Sequence, residues 1–132
     1  MVIDTSALIA VLENEPERGA FNQLIAGASK RRLSSASFVE ASIVLETRRG
    51  RTAAHDLLVY IARAGIEIET VTADHARIAV DAYRTYGKGR HPAGLNFGDV
   101  FSFALSVATR EPLLFKGDGF SLTDVAAVTK RR

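Results

Sequence analysis

The chain contains no cysteine and no tryptophan, and only 3 of its 132 residues are proline. Without cysteine there is no disulfide bond, no thiolate-held metal and no cysteine nucleophile. The absence also favours a reducing compartment, so we expect a cytoplasmic protein. Neither sign of charge dominates, since 17 Lys and Arg face 15 Asp and Glu. The charge balance alone therefore neither requires nor excludes a polyanionic partner.

Long apolar runs are also missing. No stretch approaches the roughly 20 apolar residues that cross a bilayer. Asp4 interrupts the apolar start of the chain, so we expect neither a membrane segment nor a signal peptide. The remaining composition is that of a globular protein, with 47% apolar and 24% charged residues. The length suits one domain, which we predict to cover residues 1–132.

Short apolar runs alternate with helical patterns along the chain. The apolar residues that follow Asn96, for example, recur at the three- and four-residue spacing of a buried helix face. Strands are predicted at 1–4, 32–35, 66–71 and 112–116, with a short fifth at 125–128, and helices at 6–12, 37–49, 73–86 and 96–108, with two more beginning near 16 and 52. Strands separated by helices indicate an α/β sandwich with a central parallel sheet of four or five strands.

Four acidic residues stand near the ends of these strands. Asp4 ends the first strand, and Glu40 lies one helical turn beyond the second. Asp118 follows the fourth strand, and Asp99 opens the helix that leads into it. Each acid alone has an ordinary interpretation as a helix cap, a capping-box partner or a turn residue. Three of them, however, follow the carboxyl ends of parallel strands, where open α/β sheets bind ligands.

Carboxylates gathered in one cleft point to a particular chemistry. They repel each other, so the site is costly unless cations lie beside them. A set of oxygen ligands selects hard ions, Mg²⁺ first and Mn²⁺ as a substitute. Such ions activate water and stabilise the leaving oxygen of a phosphodiester. The acids therefore indicate metal-dependent phosphodiester hydrolysis.

Four segments resemble, in order, the motifs of PIN-domain ribonucleases and, more narrowly, of the VapC toxins of bacterial toxin–antitoxin pairs. They are Val2–Leu8, Ser37–Ala41, Leu95–Asp99 and Leu113–Asp118. The resemblance covers essentially the whole chain. It implies a PIN-like fold, Mg²⁺-dependent endoribonuclease activity and a small VapB-type antitoxin as partner. It further implies a homodimer, with tRNA and rRNA as candidate substrates.

The resemblance also implies roles for individual residues. Asp4 and Asp99 would be the main metal ligands, and Glu40 a third acid that binds metal or orients water. Ser6 would offer a hydroxyl near the metal. Relatives commonly carry an acid directly before the Phe of the last motif, where this chain has Gly119. We expect Asp118 to serve as the fourth acid, redirected by a positive φ at Gly119.

Basic residues supply the candidate RNA contacts. Lys88 and Arg90 lie in a glycine-rich loop shortly before Asp99, and Lys116 lies two residues from Asp118. We predict that these three residues bind RNA phosphates. Further basic clusters at 30–32, 48–51 and 130–132 are also typical of solvated helix ends and tails.

A competing function is a non-catalytic PIN-like module that binds antitoxin or RNA, and Gly119 is the feature that favours it. Phosphotransfer has less support. A haloacid-dehalogenase-type phosphatase would need a second acid two residues after Asp4, where Ser6 stands, and a receiver domain would need adjacent acids after the first strand. Nucleotide-binding glycine loops are also missing. RNA cleavage that needs Mg²⁺ and stops with EDTA would separate the enzyme from the binding module.

Overall fold

Four short strands form one parallel sheet at the centre of the protein. The structure is a computed structural model, and it describes residues 1–128. The strands are β1 (Val2–Ile3), β2 (Arg32–Ser34), β3 (Glu67–Glu69) and β4 (Leu113–Leu114). Their order is β3-β2-β1-β4, and every neighbouring pair is parallel. Val2 lies opposite Arg32 on one side and Leu113 on the other, so β1 is flanked by β2 and β4.

Helices connect the strands. They are α1 (Thr5–Leu12), α2 (Arg18–Gly27), α3 (Ser35–Arg49), α4 (Arg51–Ala64), α5 (Ala73–Tyr86) and α6 (Asp99–Thr109), and a 3-10 helix follows at Phe120–Leu122. Polar side chains fix several of their starts: the Ser34 hydroxyl accepts from the backbone N–H of Ala36, and the Thr72 hydroxyl accepts from that of His75. Within residues 1–128, no helix has the length and apolar character needed to cross a membrane.

Alternate residues of the strands face two separate cores. Ile3 and Leu114 pack into a cluster formed mainly with α1, α3 and α4. Val2 and Leu113 pack on the other side of the sheet, against α5 and α6. This alternation follows from the two-residue period of a strand. The predicted α/β sandwich with a central parallel sheet is therefore confirmed.

The start of α6 and the predicted fifth strand differ from the prediction. α6 begins at Asp99 and not at Asn96, because Asn96 caps from three residues before the helix. The segment predicted as a fifth strand makes one parallel bridge, between Ala127 and Leu113, so the sheet has four strands within residues 1–128. The basic cluster at 130–132 lies outside the described residues.

Candidate active site

A cleft of about 460 Å³ opens at the carboxyl ends of β1 and β4. The strand order reverses at this point, since β2 and β3 extend the sheet on one side of β1 and β4 on the other. Crevices at such reversals are the usual ligand sites of open α/β sheets. The cleft is lined by Asp4, Thr5, Ser6, Ile9, Glu15, Glu40, Val44, Arg48, Asn96, Asp99 and Lys116.

Asp4 is buried, with 2% of its surface exposed, although it carries a carboxylate. It caps α1: its Oδ2 accepts from the Ser6 backbone N–H at 3.0 Å and from the Ser6 hydroxyl at 2.6 Å. The same hydroxyl accepts from the backbone N–H of Lys116 at 3.0 Å, which ties the cap to the end of β4. The other oxygen, Oδ1, is buried without a hydrogen-bond partner. An unpaired oxygen of this kind is costly unless another group compensates it.

Glu40 enters the cleft from the second turn of α3. The spacing of Ser37 and Glu40 also permitted a capping box, but that interpretation is wrong because Ser34 caps the helix and Ser37 lies inside it. The Glu40 carboxylate instead occupies the space beside Gly98, where a Cβ atom would overlap it. Glu40 is therefore available for chemistry in the cleft and is not needed as a cap.

Asp99 is the first residue of α6. It exchanges two hydrogen bonds with Asn96: the Asp99 N–H donates to Asn96 Oδ1 at 2.9 Å, and the Asn96 N–H donates to Asp99 Oδ2 at 3.0 Å. Burial raises the pKa of the Asp99 carboxyl to about 6, and the charges of Asp4 and Glu40 add to this rise, while the bond from Asn96 opposes it. Burial is thus the main cause of the shift, and the charges of Asp4 and Glu40 contribute to it.

A polar seam joins the helices that carry these acids. The hydroxyls of Ser37 in α3 and Ser102 in α6 are 3.0 Å apart, and both side chains are completely buried. The Thr5 hydroxyl of α1 donates to the Ser37 carbonyl at 3.3 Å. Glu40 lies one turn after Ser37, and Asp99 lies one turn before Ser102, so the seam joins the helices close to both acids.

These acids fit a divalent cation. A cation would compensate the unpartnered Asp4 Oδ1 and would stabilise the charged form of Asp99, whose pKa is raised by burial and, to a smaller extent, by the charges of Asp4 and Glu40. Within residues 1–128 no three acid, His or Cys side chains already form a metal cluster. Mg²⁺ does not require one, because it usually keeps several waters and takes one or two carboxylates.

Lys116 reaches the rim of the cleft from the end of β4, as its predicted RNA contact requires. Its ammonium is paired with Glu15, which also lines the cleft, and with Glu17 at 3.2 Å. Both glutamates belong to the segment between α1 and α2. Any contact of Lys116 with a phosphate would therefore compete with two carboxylates.

The other predicted contacts lie elsewhere. Lys88 and Arg90 are exposed in the loop after α5 and are not among the residues that line the cleft; the Arg90 guanidinium stacks 5.8 Å from the centre of the Tyr83 ring. Asp118 is likewise exposed and outside the cleft lining. Their roles in RNA binding and catalysis stay predictions.

The expected positive φ at Gly119 is wrong. Its φ is −58°, an ordinary helical value, and the left-handed residue of this turn is Gly117, with φ +101°. A Cβ at Gly119 would lie 2.9 Å from the Ala93 carbonyl oxygen, so close packing accounts for the glycine. The turn does not redirect Asp118 in the way that we expected.

Sequence reasoning missed several residues of this site, among them Gly98 and Arg48. Gly98 was noted only as part of a motif, because nothing in the sequence marks a glycine that makes room for a distant carboxylate. The sequence places Arg48 in a basic cluster typical of a helix end. Its spacing of eight residues from Glu40 could have indicated that both lie on one face of α3.

Comparison with known proteins identifies the family. The model of the PIN domain family matches residues 1–126. The "Ribonuclease VapC" of Mycolicibacterium smegmatis is 50% identical over 128 residues, which cover 97% of this chain and 99% of that protein. The chain therefore belongs to the PIN domain family and, within it, to the VapC ribonucleases. The predicted family is confirmed.

Solved structures agree with the fold. The crystal structure of Mycobacterium tuberculosis VapC20, described as a sarcin–ricin loop cleaving toxin, has a TM-score of 0.77 at 22% identity and covers 98% of both chains. A toxin–antitoxin complex from Klebsiella pneumoniae contains a chain with a TM-score of 0.70 at 16% identity, covering 96% of this chain and 95% of that one. At these identities the likeness concerns the fold.

Proposed function

We propose that the protein is the toxin of a toxin–antitoxin pair and hydrolyses RNA phosphodiester bonds in the cytoplasm, using Mg²⁺ held by Asp4 and Asp99. The endoribonuclease class follows from membership of the VapC ribonucleases, which as PIN-domain nucleases generally depend on a divalent metal. The single observation that carries the choice of site is the buried, unpartnered Oδ1 of Asp4 in the cleft that Asp99 also lines.

The cation and the acidic residues of the cleft would have different roles in hydrolysis. The bound cation would supply a Lewis acid that activates water and neutralises charge on the phosphate. Asp4 holds one ligand oxygen in place through its bonds to Ser6, and Asp99 is held by Asn96. Glu40 supplies a third carboxylate, which accepts a proton from water or orients it.

The proposed antitoxin is of the VapB type. Three large apolar side chains are exposed on the pair formed by α3 and α4, namely Val39, Ile43 and Leu58. Exposed apolar side chains on a helix pair suit an amphipathic segment of a partner chain. The Klebsiella pneumoniae toxin–antitoxin complex shares the fold of this chain, which supports a partner of this kind.

The homodimer and the RNA target also belong to this proposal. An apolar groove beside the cleft includes Val80, Tyr83, Phe101 and Phe97, whose side chain is 78% exposed. We assign the groove to the dimer contact, which light scattering of the free protein would test. Both tRNA and rRNA are candidate substrates, and the sarcin–ricin loop cleaved by VapC20 makes rRNA the first to assay.

Cleavage of total tRNA and rRNA by the purified protein tests the activity. We expect cleavage with Mg²⁺ or Mn²⁺, no cleavage in EDTA, and recovery on adding excess metal. The Asp4→Asn variant should be inactive under all these conditions. If the wild-type protein binds RNA but leaves it intact with either metal, the non-catalytic module would be the better description.

A further inference from the structure

α3 carries a line of residues along the cleft. Glu40, Val44 and Arg48 are spaced four residues apart and all line it. Arg48 thus stands about 12 Å from Glu40 along the helix axis, at a rise of 1.5 Å per residue. A basic residue in the last turn stabilises a helix through its dipole, and Arg49 provides this as well as Arg48 does. The helix dipole therefore does not explain why Arg48 lines the cleft.

Two sets of ion pairs beside the cleft are not balanced in the same way. In the first set, Glu13 is paired with two guanidinium groups, Arg48 at 3.0 Å and Arg49 at 3.7 Å, so one positive charge is in surplus. In the second set, one ammonium, that of Lys116, faces both Glu15 and Glu17, so one negative charge is in surplus. An incoming phosphate is therefore attracted to the first set and opposed at the second.

We infer that Arg48 binds a backbone phosphate of RNA that lies along α3, and that Glu13 positions its side chain. The inference rests on the proposed function, because it places the scissile bond at the acids around Glu40. Arg48 can keep its bond to Glu13 and still bind a phosphate, since a guanidinium has five N–H donors. Its side chain is 56% exposed, so an RNA strand can reach it.

Binding of RNA without cleavage tests the inference. The probe is a fluorescein-labelled single-stranded RNA of mixed sequence in EDTA, with its affinity measured by anisotropy over a series of KCl concentrations. The variant is Arg48→Gln, and the matched control is Arg51→Gln, which removes the same charge from a side chain that is 97% exposed and outside the cleft lining. We expect Arg48→Gln to weaken binding about tenfold at low salt. It should reduce the slope of log K against log[KCl] by about 0.7, the value of one phosphate contact on a single strand.

The control should retain the wild-type affinity and slope. Equal losses in the two variants would overturn the inference, because binding would then depend on net charge alone. Unchanged binding in Arg48→Gln, or no RNA binding by the wild-type protein, would overturn it as well. Failure of the proposed function looks different: the wild-type protein would bind the RNA through Arg48 in EDTA and still leave it uncleaved when Mg²⁺ or Mn²⁺ is added.

Discussion

The carboxylate of Glu40 occupies the space into which any side chain of residue 98 would project, so Glu40 and Gly98 fit together only because residue 98 is a glycine. The backbone at Gly98 has φ −68° and ψ −40°, ordinary helical values that any residue adopts. The glycine is therefore needed for space and not for conformation. A one-carbon change in the loop before α6 should move a carboxylate that belongs to α3.

Replacing Gly98 with alanine should lower ribonuclease activity with little effect on folding. The atoms that the new methyl group meets are the end of a flexible side chain, so Glu40 can turn away at small cost. We expect a free energy of unfolding within about 1 kcal/mol of wild type and a clear loss of kcat. Cleavage assays and urea unfolding measure the two quantities.

The matched control is Gly19→Ala, because Gly19 lies in α2 with nothing near its Cβ position. That variant should keep full activity. Adding Gly98→Ala to Glu40→Gln should cost little further activity if the methyl group acts only by displacing the Glu40 carboxylate. Additive losses would show that Gly98 acts in some other way.

Asp99 makes the stability of the metal-free protein depend on pH. Its pKa is about 6 in the folded protein against an ordinary value of 3.8, chiefly because of burial. Between these pH values the folded protein binds more protons than the unfolded chain, so the free energy of unfolding falls as pH rises through this window. The full shift corresponds to about 3 kcal/mol, and partial exposure reduces it to about 1–2 kcal/mol.

Asp99→Asn should therefore stabilise the protein in EDTA by about 1–2 kcal/mol at pH 7, and the gain should vanish near pH 4, where Asp99 is protonated in wild type. Urea unfolding of both proteins at several pH values measures the difference. Asp56→Asn, at an exposed position outside the cleft, is the control and should show no such trend. A gain in stability that does not depend on pH would mean that the pKa of Asp99 is not raised in the folded protein.

The fold was largely predictable because its signals are local. The apolar strands and the helical spacing after Asn96 lead directly to the sandwich. The cap at Ser34 moved the start of α3 by two residues, and α5 has its predicted bounds. The weakest element was the segment at 125–128. A run of apolar residues there does not reveal whether the backbone pairs over several residues or, as found, only at Ala127.

The sequence predicted which acids line the cleft more reliably than it predicted the direction of side chains in turns. Asp4 and Glu40 do line one cleft, because β1 and β2 are parallel and bring their carboxyl ends to the same edge. Asp99 joins them there as the first residue of α6, which follows no strand directly. Asp118 also follows a strand but is exposed outside the cleft lining, since its direction depends on the φ angles of the turn. The contact of Gly98 with Glu40 depends on tertiary packing between residues far apart in the sequence, so a local sequence pattern does not reveal it.

Removing the Asp4 charge should abolish stabilisation by Mg²⁺. A ligand that binds only the folded state stabilises it by about 2.7 kcal/mol at 100 times Kd, so wild type should melt at higher temperature when Mg²⁺ is added. Asp4→Asn can still accept the bonds from Ser6 but presents an amide where the unpartnered Oδ1 lay. Thermal melts with and without Mg²⁺ compare the two, with Asp56→Asn as control. An equal Mg²⁺ response in Asp4→Asn would exclude Asp4 as a ligand.

The buried hydroxyl pair of Ser37 and Ser102 should be coupled in a double-mutant cycle. Replacing either serine with alanine leaves the other hydroxyl buried without this partner, which costs about 1–3 kcal/mol. Replacing both removes the two polar groups together and should cost less than the sum of the single changes. Urea unfolding of the four proteins measures the coupling, provided that their m-values agree.

The same variants test whether the two serines position the acids, because Ser37 lies one turn before Glu40 and Ser102 one turn after Asp99. If the seam fixes these acids, the single variants should lose more activity than the double variant, at temperatures where all four proteins are folded. Additive stabilities with unchanged activities would show that the two hydroxyls neither depend on each other nor hold the acids in place.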